Sequence, residues 1–113
     1  AVGIMVVQDL VVGIGDQQAM PTTFDVAQNY PNPFNPTTTI SYQVPQVSDV
    51  KLVIYNVLGQ KGRTLVNDRK ETGYHSVVWD GRNELGQAVA SGVYIYRFEA
   101  SDFTKTLKLM LLK

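Results

Sequence analysis

The chain has 113 residues, 44% of them hydrophobic and 18% charged, with ten basic residues balancing ten acidic ones. That is one domain's length, enough to bury about two-thirds of the unfolded surface, and the balance excludes the broad positive field of a nucleic-acid binder. With no cysteine there is neither a disulfide framework nor a thiolate metal site, and the apolar runs fall far short of the ~20 residues a membrane-spanning helix needs.

The opening AVGIMVVQDLVVGIG lacks a basic n-region, and Gln8 and Asp9 interrupt its apolar block. It does not read as a signal peptide; the expectation is a chain cut from a longer polypeptide. Residues 1–21 are expected to be a linker or the tail of a preceding domain, or else an extra strand pair, with the flexible joint between Gly13 and Thr23. Residues 22–113 are expected to be the folded domain.

The next segment, NYPNPFNPTTT, sets Pro31, Pro33 and Pro36 among Asn29, Tyr30, Asn32, Phe34 and Asn35. Each proline fixes its own φ and lacks a donor, and each biases its predecessor away from helix. The segment therefore reads as an extended or turning lace over the body that aims the chain into a strand beginning near Thr37, with Tyr30 and Phe34 as its anchors. Such a pre-ordered lace also suits recognition, because it loses little entropy on binding.

Alternation of period two governs the rest of the chain. In TTTISYQVP, Ile40, Tyr42 and Val44 face one way, and Pro45 ends the strand. In DVKLVIYNV both faces are largely apolar, as in a central strand. Leu58-Gly59-Gln60 reads as a turn returning the chain through Lys61 to Val66, and Asn67 to Thr72 as a polar connection. GYHSVVW puts His75, Val77 and Trp79 on one face, Gly81 to Gly92 is a loop, GVYIYRFEA aligns Tyr94, Tyr96 and Phe98, and TKTLKLMLLK aligns Leu107, Leu109 and Leu111. The pattern predicts an all-β fold of two antiparallel sheets packed face to face.

FDVAQNYPNPFNPTTTISYQVP, VKLVIYNVLGQ, GYHSVVWDG, SGVYIYRFEA and the final KLMLLK together resemble the type A sorting domain, the C-terminal module of type IX secretion cargo. The same unit is similar to the Ig-like domain of the flagellar hook-capping protein. The resemblance implies an Ig-like antiparallel β-sandwich of about seven strands, without catalysis or cofactor. It implies placement after a larger secreted cargo, often a glycoside hydrolase or peptidase, recognition by an outer-membrane translocon, and removal by a gingipain-like sortase. The cargo would cross the periplasm to the cell surface or medium, with attachment to lipopolysaccharide as one outcome. By the same resemblance the recognition motifs are the proline box, Asn29, Tyr30, Pro31, Asn32, Pro33, Phe34, Asn35 and Pro36; the tryptophan turn, Trp79, Asp80 and Gly81; the tyrosine strand with Gly92, Tyr94 and Tyr96; and the last strand with Lys108, Leu109, Leu111 and Lys113. Two positions depart from the family pattern: Gly62 replaces an apolar residue, which predicts a frayed or bulged hairpin, and Leu109 replaces a common methionine, a volume-conserving exchange.

Other candidate chemistry resolves into structure. His75, the only histidine, has no local nucleophile on its face and reads as packing. Asp80, Asn83 and Glu84 in DGRNELG offer oxygens to a hard cation but lack EF-hand spacing, so a turn with Asp80 bonding backbone amides is preferred. GIGDQQ lacks the glycine and helix of a phosphate loop. Trp79, Tyr94 and Tyr96 suit a core better than a sugar platform, and Lys105, Lys108 and Lys113 read as edge protection before they read as steering toward an acidic receptor. Three roles remain open: export signal, accessory carbohydrate-binding module, or Ig-like spacer.

Overall fold

The computed structural model describes residues 19–113; most of the expected linker, residues 1–18, lies outside the described residues. Within them seven strands form: β1 (Asp25–Val26), β2 (Thr38–Val44), β3 (Ser48–Asn56), β4 (Lys61–Lys70), β5 (Gly73–Trp79), β6 (Gly92–Ala100) and β7 (Phe103–Leu111). They assemble into a three-stranded sheet, β1-β2-β5, facing a four-stranded sheet, β4-β3-β6-β7, with every strand pair antiparallel. This is the expected Ig-like sandwich.

The alternation read from the sequence is the alternation that packs. Ile40, Tyr42 and Val44 from β2, Val50, Leu52 and Ile54 from β3, Trp79 from β5, Tyr96 and Phe98 from β6, and Leu109 and Leu111 from β7 form one buried cluster between the sheets. Val53, on the opposite side of β3, is also buried, as befits a strand with neighbours on both edges. His75 lies inward, its ring stacked 5.3 Å from that of Tyr42, and its Nε2–H donates to the Glu71 carbonyl at 2.8 Å.

Two expectations about the β3–β4 hairpin resolve differently. The anticipated irregularity at Gly62 is there: Tyr55 pairs Lys61 while Ile54 pairs Arg63, so Gly62 is the extra residue of a bulge, and a second slip brackets Leu65. The polar run Asn67–Lys70, expected as a connection, instead prolongs β4. Its charges suit an outermost strand, where the side chains keep water on one face and repel stray pairing.

The hairpin turn and the β5–β6 loop are built alike. Asn56-Val-Leu-Gly-Gln60 and Asn83-Glu-Leu-Gly-Gln87 repeat the pattern N-x-L-G-Q. In each, the asparagine Oδ1 accepts from the backbone amides two and four residues on, at 2.9–3.0 Å, and the glycine takes a positive φ, 84° at Gly59 and 81° at Gly86. The asparagine supplies the acceptor and the glycine the left-handed backbone.

Candidate recognition surface

The proline box crosses from one sheet to the other and is hydrogen-bonded to both. On the three-stranded side, Tyr30 and Thr39 exchange backbone bonds of 3.0 and 2.9 Å. On the four-stranded side, Phe34 N–H donates to the Met110 carbonyl at 2.9 Å and the Phe34 carbonyl accepts from Leu112 N–H at 3.1 Å, a parallel bridge to the last strand. Side chains complete the seam: Asn32 Oδ1 accepts from Met110 N–H at 3.0 Å, and Gln28 Nε2 donates to the Lys108 carbonyl at 2.7 Å. The Lys108 carbonyl, both backbone groups of Met110 and the Leu112 N–H, which face away from β6, are thereby paired. The segment is a strap that closes the outer edge of β7, and the prolines suit it because that edge offers few places where a missing donor is felt.

The anchors are Asn29 and Phe34, not Tyr30 and Phe34. Tyr30 is 81% exposed, whereas Asn29 is 2% exposed. The Asn29 amide donates to Thr38 Oγ1 at 2.9 Å and to the Pro31 carbonyl at 3.1 Å, Thr38 Oγ1–H donates to that same carbonyl at 2.8 Å, and Asn29 Oδ1 accepts from Gln28 Nε2 at 2.6 Å. A phenol on a strap that leaves the sheet has no cavity to enter, while a short amide satisfies the turn's own backbone. Phe34 is 1% exposed and tilts against Trp79, ring centroids 5.5 Å apart.

Trp79 joins the strap to the loop after β5. Its Nε1–H donates to the Arg82 carbonyl at 2.9 Å, and its ring meets the edge of Tyr94 at 5.5 Å. Gly81 comes next with φ +72°, and a Cβ there would come within 3.5 Å of the Pro36 carbonyl oxygen and 3.6 Å of Leu111. Those distances are ordinary van der Waals contact, so it is the positive φ that calls for glycine. Asp80 accepts from Arg82 N–H at 3.1 Å and lies 3.6 Å from the Arg63 guanidinium, which also lies 3.6 Å from Glu84. Among the described residues no group of three or more His, Cys, Asp or Glu is placed to hold a metal ion.

Tyr96 is wholly buried, and its hydroxyl donates to the Ala27 carbonyl at 2.7 Å, tying β6 to the segment ahead of the strap. Burial pushes its pKa up to about 12, partly offset by a hydrogen bond from the Asn29 backbone. Burial likewise raises Tyr42, with a further push from Asp68, and Tyr94. With Trp79 and Tyr96 inside, the three aromatics form no accessible platform. Gly92 opens β6 with φ +149° and open space at its Cβ position.

The proline box, the tryptophan turn and the last strand thus converge on one edge of the sandwich. Its outward face shows Tyr30, Pro31, Asn32, Pro33, Lys108 and Met110, and a cleft of about 210 Å³ lies between Pro33, Val93 and Met110 with Asn32 and Lys108 at its rim. Leu109, Leu111, Phe34 and Asn29 are buried supports beneath. Gln28 and Thr38 complete the strap's bonding, and no motif in the sequence marks them out.

A family model described as FlgD Ig-like domain matches residues 28–103. No curated protein matches the chain. Among solved structures, dimeric latent PorU from Porphyromonas gingivalis superposes with a TM-score of 0.65 at 19% identity, over 89% of this chain and 10% of that one. FlgD from P. aeruginosa gives 0.52 at 25% identity, over 66% of this chain and 58% of that one. PorZ, an essential bacterial surface component of the P. gingivalis type IX secretion system, gives 0.50 at 25% identity, over 80% of this chain and 11% of that one. The chain therefore corresponds to about a tenth of PorU and of PorZ and to 58% of FlgD.

Proposed function

We infer a role from the premise that the chain belongs to the FlgD Ig-like domain family: it is a non-catalytic recognition module that directs a larger, N-terminally attached cargo through the type IX secretion system. The observation that carries this reading is the strap closed onto the last strand by Phe34, Asn32 and Gln28, which makes the proline box and the terminal residues one rigid, outward-facing surface. The likeness to PorZ, a component of that system, supports it. An outer-membrane translocon would read this edge, and a gingipain-like sortase would cut in the stretch ahead of the sandwich. The cargo, a glycoside hydrolase or peptidase if the resemblance to type A sorting domains holds, would pass from periplasm to cell surface or medium.

The test separates recognition from folding. A triple variant, Tyr30→Ala, Lys108→Glu and Met110→Ser, alters only exposed side chains, and surface changes of this kind are within about 0.5 kcal/mol each. In a secreting host carrying a reporter fused ahead of the domain, it should fold normally yet strand the reporter in the periplasm. Export at the parental level would refute the reading. The likeness to FlgD favours a spacer as the second reading, and a spacer role predicts that an unrelated sandwich substitutes without loss of export. An accessory sugar-binding role through Trp79 and Tyr96 draws no support from their burial.

A further inference from the structure

The four outermost strand edges of the described sandwich are not treated alike. β7 is covered by the strap over its last residues and carries the charges Lys105 and Lys108, the Lys105 ammonium bonding Asp25 at 2.9 Å. β1 is two residues long and sits beside that bond. β4 carries two bulges and the charges Lys61, Arg63, Asp68, Arg69 and Lys70. Bulges, charges, short strands and covering segments are the devices by which sheets avoid pairing with other chains. β5, Gly-Tyr-His-Ser-Val-Val-Trp, has none of them: no proline, no charged side chain, no bulge in its register with β2, and, among the described residues, no strand on its far side.

The hydrogen-bond pattern shows which groups lie bare. Ser41 and Thr39 of β2 give their backbone groups to Ala27 and Tyr30, so the intervening residues Thr38, Ile40, Tyr42 and Val44 are the ones bonded to β5. Their partners there are Trp79, Val77, His75 and Gly73. In an antiparallel pair both groups of a residue point to the same neighbour. The N–H and C=O of Tyr74, Ser76 and Val78 therefore point away from the sheet. Their side chains lie on the outer face, with Tyr74 and Val78 each 57% exposed.

We propose that this edge pairs with the β5 edge of a second copy, joining two three-stranded sheets into one across a two-fold axis at Ser76. Centred there, antiparallel pairing sets Tyr74 opposite Val78 of the partner, Ser76 opposite Ser76 of the partner, and Val78 opposite Tyr74 of the partner. All the outward backbone groups then bond. Each side supplies an aromatic against a β-branched side chain, a favourable cross-strand pair, and no charge is left at the seam. A register shifted by two residues keeps fewer of these pairs. The patch is thus complementary to itself, the requirement of a two-fold interface. A seam of one short strand buries less than the ~1,200 Å² of a stable dimer, so association belongs at high local concentration. β5 packs over β4, whereas the strap closes onto β7, at the other edge of the facing sheet, so the two surfaces can be used together.

Sedimentation equilibrium of the full 113-residue chain from about 10 µM to 1 mM tests the pairing, and a dissociation constant on the order of 100 µM is expected for so short a seam. Ser76→Lys sets like charges opposite each other across the axis and should weaken association at least tenfold, with circular dichroism and melting unchanged because the side chain is exposed. Ser76→Glu alone should behave the same way. Mixing the two variants should restore a heterodimer, a result peculiar to an axis at Ser76. A wild-type chain monomeric at every concentration overturns the proposal. So does a dimer indifferent to Ser76→Lys.

Discussion

Asn29→Asp is the sharpest test of what holds the strap. The substitution changes an amide for a carboxylate of the same shape, so packing is preserved and only the hydrogens differ. The Asn29 amide donates to Pro31 and to Thr38 Oγ1, and a carboxylate donates to neither. Thr38 can turn its hydroxyl hydrogen to the carboxylate only by giving up its bond to the Pro31 carbonyl, so two bonds are lost either way. Two lost bonds cost about 1 kcal/mol each. The new carboxylate, 2% exposed in place of Asn29, would also face two oxygens, which raises its pKa above the ordinary ~3.9 by about two units, worth another ~2.7 kcal/mol at neutral pH. The expected loss at about pH 7 is roughly 4 to 5 kcal/mol, a large part of a typical margin of ~5–15 kcal/mol.

The sign of the pH dependence comes from linkage. A carboxyl whose folded pKa lies above its unfolded value destabilises fully above the folded pKa, and the electrostatic part of that penalty vanishes as pH falls below the unfolded one. Urea denaturation of wild type and variant at about pH 7 and pH 4 should show the gap narrowing to roughly 2 kcal/mol. A loss below about 1 kcal/mol at pH 7, or one that does not change with pH, would mean that Asn29 does not clamp the strap.

Two further outcomes probe the core behind that clamp. Trp79→Ala should cost about 3–5 kcal/mol, and Trp79→Phe only about 1–2 kcal/mol, since it keeps a ring against Phe34 and loses the bond to Arg82; thermal melts in which both variants lose under about 1 kcal/mol would put Trp79 on the surface. Tyr96, with a folded pKa of about 12 against an unfolded value near 10, holds its proton where the unfolded chain has lost it, so its contribution is full below pH ~10 and falls by up to about 2–3 kcal/mol as pH rises past ~12; denaturation at about pH 8 and pH 11 should show about half of that fall, lessened by Tyr96→Phe and not abolished, because Tyr42 and Tyr94 are raised as well. Identical alkaline slopes for wild type and Tyr96→Phe would contradict it.

Period-two alternation made the strands and their inward faces legible, because side chains on a half-buried strand have only two directions to point. It did not mark where β4 stops: an edge strand stays in register through backbone bonding even when its side chains, Asn67 to Lys70, are all polar. Gly62 was readable as a break because it stands where the resembling family has an apolar strand residue, and without a side chain it has nothing to pack there. The strap was legible as rigid, since proline chemistry is local. Its partners were not. Whether Asn29 or Tyr30 turns inward depends on where the strap meets Thr38 and Met110, and those contacts join residues far apart in sequence. The repeated N-x-L-G-Q turns carried a clear signal, visible only when the two loops are compared with each other.

The strap has a consequence for what an export machinery would be reading. The groups that close the edge of β7 come from Gln28, Asn32 and Phe34, while the strand they close runs from Phe103 to Leu111. Neither segment carries this surface alone. A free terminal peptide would expose the bare groups of Lys108, Met110 and Leu112 to water, and a strap without its strand would lose the partners of Phe34. The bonds form only when both sheets have packed, because Tyr30 is held by β2 and Phe34 by the core around Trp79. A receptor selective for the joined edge would therefore discriminate a folded domain from an unfolded one by hydrogen-bond donors and acceptors that are satisfied in one state and free in the other. Chain sequence alone would not tell it the difference.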